Sequence, residues 1–118
     1  MLEEAAAAID ILKRPATIAR ATGGAYVRGT WAGTYDAAVL TAGVLQPVTG
    51  RDLRDMPEGV RAEAVKLFFV TASDLLPGDI NENDKIEADN ETFRVIHIAP
   101  WTRYGGFREC VLGRIKAS

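Results

Sequence analysis

Residues 84–98 read DKIEADNETFRVIHI, and this stretch decides the fold class. Residues 84–88 and 91–98 alternate apolar and polar side chains, and the second run is rich in β-branched and aromatic types, a pattern typical of half-buried strands. Between the runs lies Asp89-Asn90, in which Asn tolerates the positive φ angle of a tight turn. The stretch therefore predicts a β-hairpin.

Alternation with a period of two continues on both sides of this hairpin. Further strands are predicted over residues 16–22, 25–31, 37–48, 62–70 and 108–115, with Gly23-Gly24 as a turn and Gly43 as a bulge or bend. Short strands separated by regular turn signals predict a mainly β fold. We expect a small closed or partly open antiparallel β-barrel of about five to seven strands.

Residues 1–14 have a different pattern and predict an N-terminal α-helix. Leu2, Ala6 and Ile9 follow helical spacing, and Pro15 ends the segment. A short alanine-rich helix is marginal by itself, so we expect it to dock on the barrel or on a neighbouring subunit. Residues 15–118 then form the barrel domain, and a length of 118 residues indicates a single domain overall.

Composition excludes several classes of function. A net charge of −2 argues against a general nucleic-acid binder, and a single cysteine excludes an internal disulfide or a multi-cysteine zinc site. No apolar run is long enough to cross a membrane, so we expect no membrane partner. Glu3 and Glu4 precede the N-terminal alanines without a basic region, so we expect no secretory signal peptide.

Charge is segregated along the chain. Residues 1–12 carry only acids and residues 13–30 only bases, while residues 74–91 are mostly acidic and the segment from Arg94 onward is mostly basic. Such patches suit head-to-tail contacts between copies, because a heterologous interface joins two different surfaces. Solvated faces of a small domain explain the same pattern, and the charges do not decide between the two.

The candidate chemical groups do not form a recognisable reactive set. Residues 79–84 begin like a calcium loop, but Asp84 and Asn90 stand where such a loop needs Gly and Glu, which favours a polar turn. His97 and Cys110 each lie in a predicted strand, where structural roles are the usual ones. We therefore predict no enzyme, with no catalytic residue, no cofactor and no metal.

Two other segments are candidates for contacts. Residues 49–61 are polar and interrupt the strands, with a helical turn predicted at about 51–56, and long loops in compact domains are usually functional. We expect this segment to contact a partner or to project toward the channel of an assembly, with Arg51 and Arg54 as the candidate contact residues. The aromatic residues either stack on bases or fill and cap the barrel, and the second interpretation is favoured: Trp31, Trp101, Tyr104 and Phe107. Within that group we expect Trp101 in the core and Tyr104 at a subunit interface.

An ordered set of motifs carries a resemblance to a known family. Its specific parts are the Gln-Pro-Val, Asp-Leu and Pro-Glu-Gly-Val-Arg motifs within residues 46–61 and Trp-Thr-Arg-Tyr-Gly-Gly-Phe at 101–107, preceded by Tyr-Val-Arg-Gly-Thr-Trp at 26–31. Over residues 15–116 the chain resembles tailed-bacteriophage neck proteins of the head–tail joining, or head-closure (head completion), family. The N-terminal helix and the Asn-Glu-Asn insertion before Asp84 depart from that pattern.

The resemblance implies a structural protein of the virion neck, made in the cytoplasm of a bacterial host. Copies would form a ring of about six or twelve at the portal vertex, close the head after DNA packaging and connect head to tail. Implied partners are other copies, a portal or adaptor ring and tail proteins, and double-stranded DNA would pass through the channel without sequence-specific binding. The alternatives are a tail-completion or tail-tube-associated ring protein and a small OB-like nucleic-acid-binding barrel.

Overall fold

The computed structural model describes Ile9 and residues 11–54, 56–75, 78–99 and 106–115. Its strands are β1 (Arg14–Ala19), β2 (Ala21–Val27), β3 (Thr30–Tyr35), β4 (Val39–Pro47), β5 (Ala64–Thr71), β6 (Lys85–Ala88), β7 (Glu91–Ile98) and β8 (Phe107–Arg114). Its short helices are α1 (Gly50–Arg54), α2 (Glu58–Glu63) and α3 (Ala72–Leu75).

Six of these strands close a barrel in the order β1-β4-β5-β8-β7-β6, and β1 pairs with β6 to complete it. Every neighbouring pair in the barrel is antiparallel. The prediction of a mainly β antiparallel barrel is confirmed in its closed form. Strands β2 and β3 lie outside the barrel and form a separate two-stranded ribbon.

Strand β4 changes its partner at Gly43. Its first half, Val39 to Gly43, pairs with β1, and its second half, Val44 to Pro47, pairs with β5. A Cβ atom at Gly43 would overlap the ring of Phe68, which lies on the neighbouring strand β5. The sequence predicts a bulge or bend at this glycine, and in the structure the missing side chain makes room for a large aromatic ring of the core.

The core is filled by inward-facing side chains from β1, β5, β6, β7 and β8. Those with the least exposed surface include Ile18, Phe68, Val70, Ile86, Phe93, Val95, Cys110 and Leu112. They alternate with outward-facing neighbours along each strand, as a period of two requires. Phe107 is also buried at 2% exposure, which agrees with a core role and leaves its ring no face on which a base could stack.

The predicted N-terminal helix falls mostly outside the described residues. Ile9, Ile11 and Leu12 are helical, and the Lys13 amide donates to the Ile9 carbonyl at 2.8 Å, which is one helical hydrogen bond. Strand β1 begins at Arg14, a residue that the sequence assigned to the helix.

Gly23 and Gly24 were predicted to form a turn, and this prediction is wrong. Both residues lie inside β2, and the chain reverses at Arg28-Gly29 instead. A Cβ atom at Gly24 would overlap the Trp31 side chain on the facing strand, so the glycine provides space for an aromatic ring. Asp89-Asn90, by contrast, forms the predicted turn between β6 and β7, with φ angles of 52° and 62°.

Candidate assembly surfaces

The β2–β3 ribbon projects a short apolar and basic tip. Val27 pairs with Thr30, so Arg28 and Gly29 form a two-residue turn, with φ angles of 52° and 79°. Tyr26 and Val27 are each 55% exposed, and Arg28 is also exposed. We call residues 26–29 the hairpin tip. It presents an aromatic ring, an aliphatic side chain and a cation on one protruding element.

Arg94 on β7 holds the ribbon against the barrel. Its guanidinium donates to Asn83 Oδ1 at 2.9 Å, to Glu63 Oε2 at 2.7 Å and to the Tyr26 hydroxyl. The same group lies 4.9 Å from the centre of the Trp31 ring, within the range of a cation–π contact. Only 8% of Arg94 is exposed, so this charge joins the barrel, α2 and the ribbon in a largely desolvated junction.

Aromatic contacts stiffen the ribbon near this junction. The rings of Tyr26 and Trp31 meet edge to face with centroids 5.4 Å apart, and Trp31 Nε1 donates to the Tyr35 hydroxyl at 2.9 Å. Lys85 Nζ lies 4.8 Å from the centre of the Tyr35 ring. Trp31 is therefore engaged inside the protein rather than presented as a free stacking platform for a base.

The base of the ribbon is fixed by the acidic loop that follows α3. Asp84 is 2% exposed, and its two carboxylate oxygens accept hydrogen bonds from the Ala21 and Asn81 amides, each at 2.8 Å. Asp79 Oδ1 pairs with Arg108 Nε at 3.2 Å and accepts from the Ile80 amide. The first and sixth positions of the candidate calcium loop, Asp79 and Asp84, thus support backbone and strand contacts. No cluster suited to a metal ion occurs among the described residues.

Arg51 and Arg54 lie on α1 with exposed side chains. The helix is capped reciprocally, because the Thr49 amide donates to Asp52 Oδ2 at 3.0 Å and the Asp52 amide donates to Thr49 Oγ1 at 3.3 Å. The hydrogen bonds from Thr49 hold the pKa of Asp52 below its usual range. The prediction of a loop after residue 56 is wrong, because a second helix, α2, follows there. Both arginines lie on the capped helix α1.

A cavity of about 280 Å³ separates α1 from the outer face of the barrel. Its lining includes Asp52 and Met56 on one side and His97, Glu109 and Val111 on the other. Burial raises the pKa of Glu109, and the negative charge of Asp52 raises it further. The α1 segment therefore covers the barrel wall with Asp52 facing a second acidic side chain.

The structure does not bring Cys110 and His97 into a reactive pair. Cys110 faces the core with no exposed surface, and burial raises the pKa of its thiol. His97 lies opposite Val111 in the sheet and lines the outer cavity. The two side chains thus stand on opposite faces of the barrel wall. Trp101 and Tyr104 lie outside the described residues.

A second surface, which sequence analysis missed, lies where β1 runs between β4 and β6. Thr17 pairs with Leu40 on one side and with Glu87 on the other, and Leu40 is 79% exposed. The groove here has a volume of about 410 Å³ and is lined by Pro15, Ala16, Thr17, Leu40 and residues 87–92. We call it the acid-rimmed groove, because Glu87, Asp89 and Glu91 are its charged lining residues.

No protein-family model and no curated protein sequence matches this chain. Within the described part of the chain, no helix has the length and apolar character needed to span a membrane.

Proposed function

We propose that this protein is a structural component of a tailed-bacteriophage neck, where copies form a ring at the portal vertex, close the filled head and connect it to the tail. The observation that carries the proposal is the ordered set of motifs over residues 15–116. The closed barrel supports it, because a rigid core with separate protruding elements is a suitable building block for a ring.

The role is structural rather than catalytic. Two side chains that could act as a nucleophile or as a general base have structural roles instead. Cys110 lies in the core, and Asp84 accepts hydrogen bonds from two backbone amides. Arg94, the most deeply buried of the described basic residues, joins three elements of the structure.

The contact with the portal or adaptor ring is made through α1. Arg51 and Arg54 are exposed there, on a helix that the reciprocal cap between Thr49 and Asp52 stabilises. Tyr104 contributes to a subunit contact. The rings of copies lie in the virion neck after synthesis in the bacterial cytoplasm, and tail proteins bind the face away from the head.

Packaged double-stranded DNA passes through the ring without sequence-specific binding. A net charge of −2 supports this part of the proposal, since each lysine or arginine held against a phosphate would add attraction and slow the DNA.

The proposal is tested by mixing the purified protein with the portal ring of the same phage and examining the products by mass photometry and negative-stain electron microscopy. We expect a complex with a second ring stacked on the portal. If no complex with the portal ring forms at any salt concentration, the proposal is overturned. Binding to tail tubes instead of portals would identify a tail-completion protein.

A variant with both Arg51→Ala and Arg54→Ala tests the role of α1. We expect unchanged circular dichroism, weaker portal binding and fewer infectious particles in a complementation assay. The variant with both arginines replaced by lysine is the matched control, because it keeps the two positive charges and should bind. An unchanged particle yield with both alanines would show that α1 is not the contact.

A further inference from the structure

We propose that the hairpin tip of one copy docks in the acid-rimmed groove of a second copy. This contact rests on the proposed ring assembly and names the two surfaces that would build it. The hairpin tip is residues 26–29, and the groove is the one between Leu40 and the β6–β7 turn.

The groove is shaped to receive a short protruding element. Its wall on one side is the outward face of β1 and β4, where Pro15 and Leu40 offer apolar surface. Its other wall is the end of β6 and the β6–β7 turn, residues 87–92. Leu40 is 79% exposed, and covering it with another apolar surface would be favourable.

The charges of the groove select a basic occupant. Glu87 and Glu91 remain 54% and 44% exposed even though Lys85 and Arg114 lie near them at 3.9 Å and 3.4 Å. Asp89 is exposed at the turn and has no ion-pair partner among the described residues. No basic side chain belongs to the described lining.

The hairpin tip has the complementary chemistry. Tyr26 and Val27 each expose 55% of their surface, and Arg28 has no ion-pair partner in the described part of the chain. Arg28 also has a φ angle of 52°, a conformation that Gly, Asn or Asp adopts at lower cost. Keeping arginine at a strained turn position is the kind of local exception found at functional sites.

The partner is a second copy because the tip does not reach its own groove. The Tyr26 hydroxyl is held at Glu63 and Arg94, and no residue of the ribbon lines the groove. A contact between two different surfaces of identical chains is heterologous, and it propagates from copy to copy until a ring closes. The segregated charges of the sequence acquire a specific role in this arrangement.

Charge reversal tests the contact. Arg28→Glu alone and Glu87→Lys alone should each weaken self-association at least roughly tenfold, because each places like charges across the interface. The double variant should recover association. An equimolar mixture of the two single variants should recover it as well, because in alternating order every tip meets a groove of opposite charge. Glu82→Lys is the matched control, because it makes the same charge change on an exposed turn outside the groove.

The measurements are sedimentation velocity of each variant over a range of concentration and salt, mass photometry with portal rings, and circular dichroism to establish folding. Wild-type association that falls with salt and follows the charge-reversal pattern supports the contact. Rings that form on portals with Arg28→Glu as well as with wild type would overturn this contact and leave the proposed function standing. Failure of the wild type to assemble with or without portal rings would overturn both.

Discussion

The two hairpins β2–β3 and β6–β7 have the same kind of turn and opposite roles. Each closes through two residues with positive φ, Arg28-Gly29 in one and Asp89-Asn90 in the other. The β6–β7 hairpin contributes Ile86, Phe93 and Val95 to the core, all fully buried, whereas β2 is mostly exposed along its length.

This difference shows that turn geometry does not decide whether a hairpin joins a barrel. The alternate positions of β6 and β7 carry large apolar side chains, so one face must be buried. The ribbon carries small residues and aromatics, and it is retained on the barrel by Arg94 and Asp84 instead. One hairpin depends on apolar burial and the other on a polar junction, and each of the following variants tests that distinction.

The largest effect is expected for Phe93→Ala. Emptying a fully buried aromatic site on β7 should reduce the free energy of unfolding by about 3–5 kcal/mol. Val27→Ala on the ribbon is the control and should change it by less than about 0.5 kcal/mol, because the side chain is largely exposed. Urea unfolding followed by circular dichroism measures both, and similar losses for the two variants would contradict the comparison.

Asp84→Ala should reduce the free energy of unfolding by a smaller amount, about 2–4 kcal/mol. The change removes the acceptor of two backbone amides at a site that is 2% exposed, and unsatisfied buried donors are costly. Asp84→Asn keeps one carbonyl oxygen and should lose clearly less in the same urea experiment. Equal losses for Asn and Ala would mean that the hydrogen bonds are not the source of the stability.

Arg94→Ala should loosen the ribbon while the barrel stays folded. We expect the free energy of unfolding to fall by about 1–3 kcal/mol, because the hydrogen bonds and ring contacts of a largely buried guanidinium are removed. Amide exchange in residues 21–35 should then rise at least roughly tenfold, with little change in β5 and β8. Arg94→Lys keeps the charge but lacks the planar guanidinium, so its stability and its amide exchange in residues 21–35 should lie between those of the wild type and Arg94→Ala. A uniform rise across the barrel would show that the junction supports the whole domain.

The smallest effect is expected for Arg28→Asn. Asparagine adopts positive φ more readily, so thermal melting should show either no change or a gain of up to about 1 kcal/mol. Asp89→Asn in the other turn should change stability by less than about 0.5 kcal/mol, because both residue types tolerate that conformation. A clear loss for Arg28→Asn would mean that the arginine stabilises its own hairpin.

The sequence was sufficient to predict strands and turns where the local pattern of side chains agrees with their burial. The β6–β7 hairpin follows from alternation around Asp89-Asn90, and the final strand follows from residues 108–115. The sequence was misleading at Gly23-Gly24, which predicted a turn. In the structure Gly24 leaves space for the Trp31 ring on the facing strand of the ribbon. A glycine doublet has the same appearance in sequence whether it forms a turn or makes room for a ring.

The candidate surfaces depend on contacts that are distant in sequence. Arg94 meets Tyr26 and Glu63 across separations of 68 and 31 residues along the chain, and no spacing rule connects them. The acid-rimmed groove likewise combines β1, β4 and the β6–β7 turn. An exposed Leu40 beside an acidic turn could have been suspected only after the register of β1 against both neighbours was known.

The pairing of β1 with β4 gives the ribbon the character of an insertion. Ile18 faces Val39 across the sheet, so residues 20–37 leave the barrel and return to it at nearly the same place. Because its two ends are adjacent, the ribbon can change in length, in charge and at its tip without altering the register of the six barrel strands. The barrel and the ribbon are therefore separable parts of the chain: the six strands hold the register, and the ribbon is free to differ at the surface.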